Sequence, residues 1–300
     1  MKKLLTATAA LAFAFTTPAC AADSVTTDPV AAAAPAMWKL ADEDTTIYLL
    51  GTFHLLPADH EWRDARIDDA IAASSELVLE TNIDPANPMA IAPIVQELGL
   101  TPGQTPILER VPEDKRDALT AAIKETGMPA QVFDMMDSWF AGFTLVGVQI
   151  QKLGLTAEAG VEHDLRTTFV EAGKPIGELE TPREQLSYLD TLSQGAQDAF
   201  LVEALEDPSE MKAMLDKMLV AWTTGDVDTI AETFNEDYEN SDELMQAMLY
   251  RRNAKWVEKL DARLDEPGTI LVAVGAGHLA GEDSVIDMLE EKGLTVTRIQ

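Results

Sequence analysis

One local pattern constrains this chain more than any other, because it occurs twice, near opposite ends. Ile47-Tyr-Leu-Leu-Gly-Thr-Phe-His54 runs four apolar residues into a glycine, with a histidine three positions on. Thr269 to Val274 is a second apolar, β-branched run, and Gly275-Ala-Gly-His278 repeats the spacing. Runs so short and so apolar fit strands buried on both faces. Gly51 would let the chain turn sharply where a side chain would clash. Each histidine is then delivered at the carboxyl end of a strand, where open α/β sheets place their ligands. A lone Gly-x-x-His turn means little, since glycine often ends strands. Here two of the four histidines in the chain share it, and that coincidence is the strongest functional signal in the sequence.

Acidic residues stand at two further strand ends. Glu76 to Glu80 reads as a buried strand closing on a carboxylate, which is expensive to bury without a partner. Lys174 to Thr181 reads as a short strand closing on Glu180. Thr181-Pro182-Arg183-Glu184 then carries the signature of a capped helix start. Either glutamate could instead simply reach solvent, and Glu180 could pair with Arg183. Trp38-Lys39-Leu40 predicts a first, edge strand, Asp42-Glu43-Asp44 a turn, and Thr295 to Ile299 a last strand. An amphipathic helix is expected within Asp59 to Ser75. Helices are also expected over Pro88 to Leu98, Pro112 to Thr126, Ser138 to Leu153, from Gly160, through most of 195 to 263, and over Asp283 to Glu291. Glu162 and Asp164 suit the positive end of the helix that starts at Gly160. His163 beside them reads as a capping or surface residue. Met211, Met214, Met218 and Leu219 form an apolar stripe that belongs in a core. Arg252 could clamp a carboxylate, of a substrate or of Glu180.

The first 21 residues stay out of the fold. Met1-Lys-Lys, an apolar run to Phe15 and Ala19-Cys20-Ala21 describe a signal peptide, with a disordered tether over 22–37 behind it. Cys20, the sole cysteine, could alternatively be lipidated, but Thr17-Pro18-Ala19 lacks the usual leucine of a lipobox. Either route predicts an exported protein, periplasmic or secreted, with no disulfide and no transmembrane span. A formal net charge of -30 argues against nucleic acid and against an anionic membrane surface as partners. A peptide or small molecule is the expected substrate. At 300 residues and 46% hydrophobic composition, the chain can bury a sizeable core.

In the order and spacing of these pieces, the sequence resembles the TraB/GumN family, related to the Tiki proteases and more distantly to erythromycin esterase and ChaN-like proteins. The pieces are Tyr48-Leu-Leu-Gly-Thr-Phe-His54, Leu77-Val-Leu-Glu80, Gly160-Val-Glu-His-Asp164, Leu179-Glu-Thr181 with Glu184-Gln185, Arg252-Asn253, and Val274-Gly-Ala-Gly-His278. The resemblance covers residues 38 to 300. It implies an α/β fold whose central mixed sheet is formed by the N- and C-terminal parts, with a large helical insertion over about 88–265. It also implies that both histidines and the strand-end acids face one cleft. Tiki-type members are metal-dependent proteases.

Two neutral imidazoles with one or two carboxylates can hold a divalent cation and leave room for water. His54, Glu80, Glu180 and His278 form the expected ligand set, for zinc, manganese or cobalt. One glutamate could be the general base instead, and Arg252 could hold an oxyanion. No Gly-x-Ser-x-Gly elbow and no His-Glu-x-x-His helix is present. The expectation is a metal-dependent hydrolase of amide bonds, a peptidase, with His54, Glu80, Glu180, Arg252 and His278 as its catalytic residues. Two other readings stay open: a metal-independent, esterase-like hydrolase with His54 as base oriented by Glu80, and a non-enzymatic protein that binds a metal or haem-like ligand.

Overall fold

The computed structural model describes residues 33–83, 87–238 and 242–300. The signal peptide, the lipidation alternative at Cys20 and most of the tether lie outside these residues. Residues 33–36, assigned to the tether on composition, are packed. Ala33 and Ala36 are buried, Ala34 N–H donates to Thr223 O at 2.8 Å, and Met37 begins the first strand.

Six strands form one mixed sheet: β1 (Met37–Ala41), β2 (Thr45–Thr52), β3 (Glu76–Leu79), β4 (Ile176–Glu178), β5 (Gly268–Gly275) and β6 (Val296–Arg298), in the order β4-β3-β5-β2-β1-β6. β4, β3, β5 and β2 run parallel, and β1 is antiparallel to both β2 and β6. β1 is therefore an inner strand, not an edge, because the last strand of the chain returns to cover it. β4, the opposite edge, lies inside the stretch expected to be helical insertion. The two Gly-x-x-His strands are direct neighbours, paired from Thr45↔Gly268 to Thr52↔Gly275, so their carboxyl ends coincide.

The apolar runs are explained by burial on both faces. Along β5, Leu271 and Ala273 pack with Leu50, Leu77, Leu79 and helices Ala65–Ala73 and Val161–Glu171. The alternate residues Ile270, Val272 and Val274 pack with Ile47, Leu49 and helices Arg251–Arg263 and Val285–Glu291. Fully burying each such side chain contributes about 1.5–3 kcal/mol before its ordering costs. Gly51 makes no turn. It lies within β2 at negative φ, and a Cβ there would meet Ala276 at 3.3 Å, so what it permits is close packing of the two histidine turns. The first helix, expected within Asp59 to Ser75, starts at Ala65, where Asp64 caps it by accepting from Arg66 N–H and Ile67 N–H.

The remaining helices form two further cores, one around Trp139, Phe143 and Phe200, the other around Phe133, Leu145 and Leu201. Among the described residues no helix is long and apolar enough to cross a membrane.

Candidate active site

Topology accounts for the convergence. β2 and β5 end side by side, so the segments that follow them place His54 and His278 at one end of the sheet. β3 ends at Glu80 on the other side of β5. Past β4, Leu179 and Glu180 continue the pairing, and Glu180 N–H donates to Glu80 O at 2.9 Å. A turn of π-helix, Gln246–Tyr250, leads into helix Arg251–Arg263 and delivers Arg252 over the two carboxylates. All five sequence-predicted residues therefore meet in one cluster, and all but His54 are buried.

Arg252 sits at its centre. Nε donates to Glu180 Oε1 at 2.8 Å, and Nη2 lies 2.5 Å from the same oxygen and 2.6 Å from Glu80 Oε2. Nη1 donates to Met248 O at 3.0 Å and meets His278 Nε2 at 3.2 Å. The guanidinium thus serves both glutamates and Met248 O, with His278 Nε2 beside it. The guanidinium also stacks 4.8 Å from the Trp256 ring. Arg252 thus clamps Glu180, as one of the two sequence alternatives had it. Arg183 pairs with Glu97 instead of Glu180.

The two histidines are held alike. His54 Nδ1 lies 2.7 Å from Glu162 Oε1, and the Thr52 hydroxyl donates to the same oxygen. His278 Nδ1 lies 2.6 Å from Asn253 Oδ1, and the Asn253 amide in turn donates to Asp283 O at 2.8 Å. With both Nδ1 atoms occupied, both Nε2 atoms face Glu80 Oε1, at 3.8 Å from His54 and 3.7 Å from His278. That oxygen also accepts the Gly275 N–H at 2.7 Å, while Gln185 Nε2 reaches Glu80 Oε2 at 3.2 Å.

Charges follow from these contacts. Burial would raise the Glu80 pKa, but Arg252, the histidines and the Gly275 N–H hold it far below the usual carboxylate range. Burial raises the Glu180 pKa against the pull of Arg252. Burial, with Arg252 alongside, pushes His278 down to about 3, so it is neutral with its proton on Nδ1. Burial also acts to lower His54, yet the Glu162 and Glu80 carboxylates reverse it and bring the group up to about 9.

Among the described residues no group of three or more His, Cys, Asp or Glu side chains is placed to hold a metal ion. Two imidazoles and a carboxylate are nonetheless of the donor types that ligate divalent cations. Tetrahedral ligands at 2.0–2.2 Å from an ion stand roughly 3.4 Å apart, a few tenths of an ångström less than the two Nε2 to Glu80 Oε1 separations. Glu180 does not join this group. Its Oε1 is taken by Arg252, which stands between it and His278.

Sequence reasoning missed Glu162, Asn253 and Gln185 as partners. Glu162 reads equally well as a first-turn helix acid. The available signal was Gly160, where a Cβ would stand 2.0 Å from His54 O. That contact seats the helix start on the histidine turn. His163 points elsewhere, and its Nδ1 is buried without a hydrogen bond. Of the methionine stripe, Met211, Met214 and Met218 are buried as expected, but Met218 also lines the cleft above His54 and His278.

A profile of the TraB/PrgY/gumN family matches residues 36–298, which enclose every strand of the sheet. The chain is 28% identical over 248 residues to the uncharacterized protein YbaP of Escherichia coli (strain K12), covering 81% of this chain and 87% of that protein. YbaP of Shigella flexneri matches to the same extent. No solved structure matches. With the family profile spanning the whole sheet and all five converging side chains, the chain belongs to the TraB/PrgY/gumN family.

Proposed function

We propose that this protein is a metal-dependent hydrolase of amide bonds, with peptides as substrates, exported to the periplasm or beyond. One observation carries the reading: each histidine has its Nδ1 fixed by a side-chain acceptor and its Nε2 turned toward one ionised carboxylate oxygen. Metal-ligating histidines characteristically have their second nitrogen held by such a partner. His54 Nε2, Glu80 and His278 Nε2 would hold the ion, as zinc, manganese or cobalt. When bound, the cation supplies a water of lowered pKa and polarises the scissile carbonyl.

The chain's own residues prepare that site. Glu162 and Asn253 fix which nitrogen of each ring faces the cleft. Arg252 keeps Glu80 ionised in a buried setting and, by holding Oε2, orients Oε1 toward the two histidines. Its Nη1 retains Met248 O as acceptor when His278 turns its lone pair to a cation. Arg252 and Glu180 are positioning residues in this scheme.

One observation favours a second reading. His54 and Glu162 form a histidine–carboxylate pair of the kind that makes imidazole a general base, with Glu162 rather than Glu80 as the orienting group, and His54 acts so above about pH 9, where it has lost its proton. Chelation separates the two. Peptidase activity lost in EDTA and restored by one of the three cations supports the metal reading. Activity indifferent to EDTA, with no metal retained, supports the dyad.

A further inference from the structure

Above the polar cluster the site opens into a cleft of about 650 Å³, part of it open to solvent. His54, Arg252 and His278 lie on its wall. The other walls are almost wholly apolar. Phe53 and Leu55 flank His54, Leu215 and Met218 come from helix Pro208–Thr224, Phe234 from helix Val227–Tyr238, Ala276 from the turn after β5, and Met248 and Leu249 from the π-helical turn before Arg252. Apolar walls with a few placed polar groups are the lining of small-ligand sites. Arg252, the guanidinium in the wall, is already paired with Glu80 and Glu180, so its charge is matched before any anionic substituent arrives. Two of the wall residues are methionines, which repack around differing shapes.

We infer that this cleft is the specificity pocket of the site and takes a large apolar side chain, of the Leu, Met or Phe class, from the substrate residue beside the scissile amide. The inference rests on the hydrolase reading for its chemistry. The pocket itself is a matter of binding and can be tested apart from it.

The test uses the protein without its leader in two arms. In the first, a mixed-sequence peptide library is incubated with the metal-loaded protein and the cleavage sites are read by mass spectrometry. In the second, N-acetyl amino-acid amides of Leu, Phe, Ala and Asp are titrated and binding is followed by calorimetry. Enrichment of Leu, Met and Phe beside the cut by about tenfold or more over Ala and Asp is expected. Met218→Ala should raise the Phe-to-Leu ratio. Phe53→Leu, on a different element, serves the same purpose if the first variant does not fold.

Cleavage without side-chain preference, or with a charged preference, would overturn the pocket while leaving the hydrolase standing. Absence of cleavage, with the Leu and Phe amides binding more tightly than the Ala amide and the order shifting in the variants, would support the pocket and remove the hydrolase. Absence of cleavage with no discrimination among the amides would overturn both.

Discussion

Among single residues, the least expected role falls to Glu162. It occupies the first turn of helix Val161–Glu171, yet it fixes the ring of His54. Outer carboxylates of this kind are typically worth about 10–100-fold in metal affinity or activity. Glu162→Gln is therefore expected to lose that much in a metal titration while its Tm changes little, and unchanged affinity would remove the residue from the site. The two histidines also predict a pH dependence of stability in the metal-free protein. His278, held near 3 when folded, stays neutral while an unfolded histidine takes a proton below about 6.5. Its contribution is thus lost as pH falls from about 6.5, and Glu80, depressed in the fold, adds a further loss at lower pH. His54, held near 9, keeps its proton where an unfolded histidine has released it, so its contribution is lost as pH rises from about 6.5 toward 9. Thermal unfolding in EDTA should show a maximum near neutrality, with the alkaline decline weakened in His54→Ala. A Tm that climbs steadily to pH 9 would contradict this assignment. His54, Glu80, Glu180, Arg252 and His278 were legible in the sequence because each stands where a buried strand ends or where a cation interrupts an acidic chain. Glu162 and Asn253 were not, since a carboxylate at a helix start and an asparagine after an arginine have ordinary local explanations.

Secondary-structure elements meet here by close backbone approach. Gly160 lets helix Val161–Glu171 start against the turn after β2, where Val161 N–H also donates to Phe53 O at 3.2 Å. Since a Cβ at 160 would stand 2.0 Å from His54 O, Gly160→Ala must displace the helix start or the turn. Overpacking of this kind costs about 1–3 kcal/mol. The variant is expected to lower Tm and weaken metal binding together, and parental values for both would show that the contact does not set the site. The π-helical turn Gln246–Tyr250 is the other positioning element. Its Met248 carbonyl fixes Arg252 while its Met248 and Leu249 side chains line the cleft. Interruptions of this type recur at functional sites, but no local composition marks this one, and the sequence shows only a continuous helix. The capping box at Thr181 was legible in full, with Thr181 and Glu184 exchanging hydrogen bonds, because its chemistry is local. The position of β1 within the sheet was not legible, because it depends on where a strand more than 250 residues later returns.

In the whole molecule, a strongly acidic chain encloses one buried arginine between two buried glutamates. Replacing such an arrangement by apolar residues is often neutral or stabilising, so stability alone is a weak reason for it. Setting Glu80 between two histidines is a better one. The sheet gathers these groups from β2, β3, the end of β4, the helix before β5 and the turn after β5, so chain folding and site assembly are one event. The α/β class and the sheet shared by the two ends of the chain could be read from the duplicated strands and from the family resemblance. Elemental mass spectrometry of the untagged protein, beside a His54→Ala/His278→Ala double variant, tests the metal reading directly. Near-stoichiometric manganese, cobalt or zinc in the parent, lost from a variant that remains folded, is the expected result. A parent that retains none of the three after incubation with each would contradict a metal site formed by His54, Glu80 and His278.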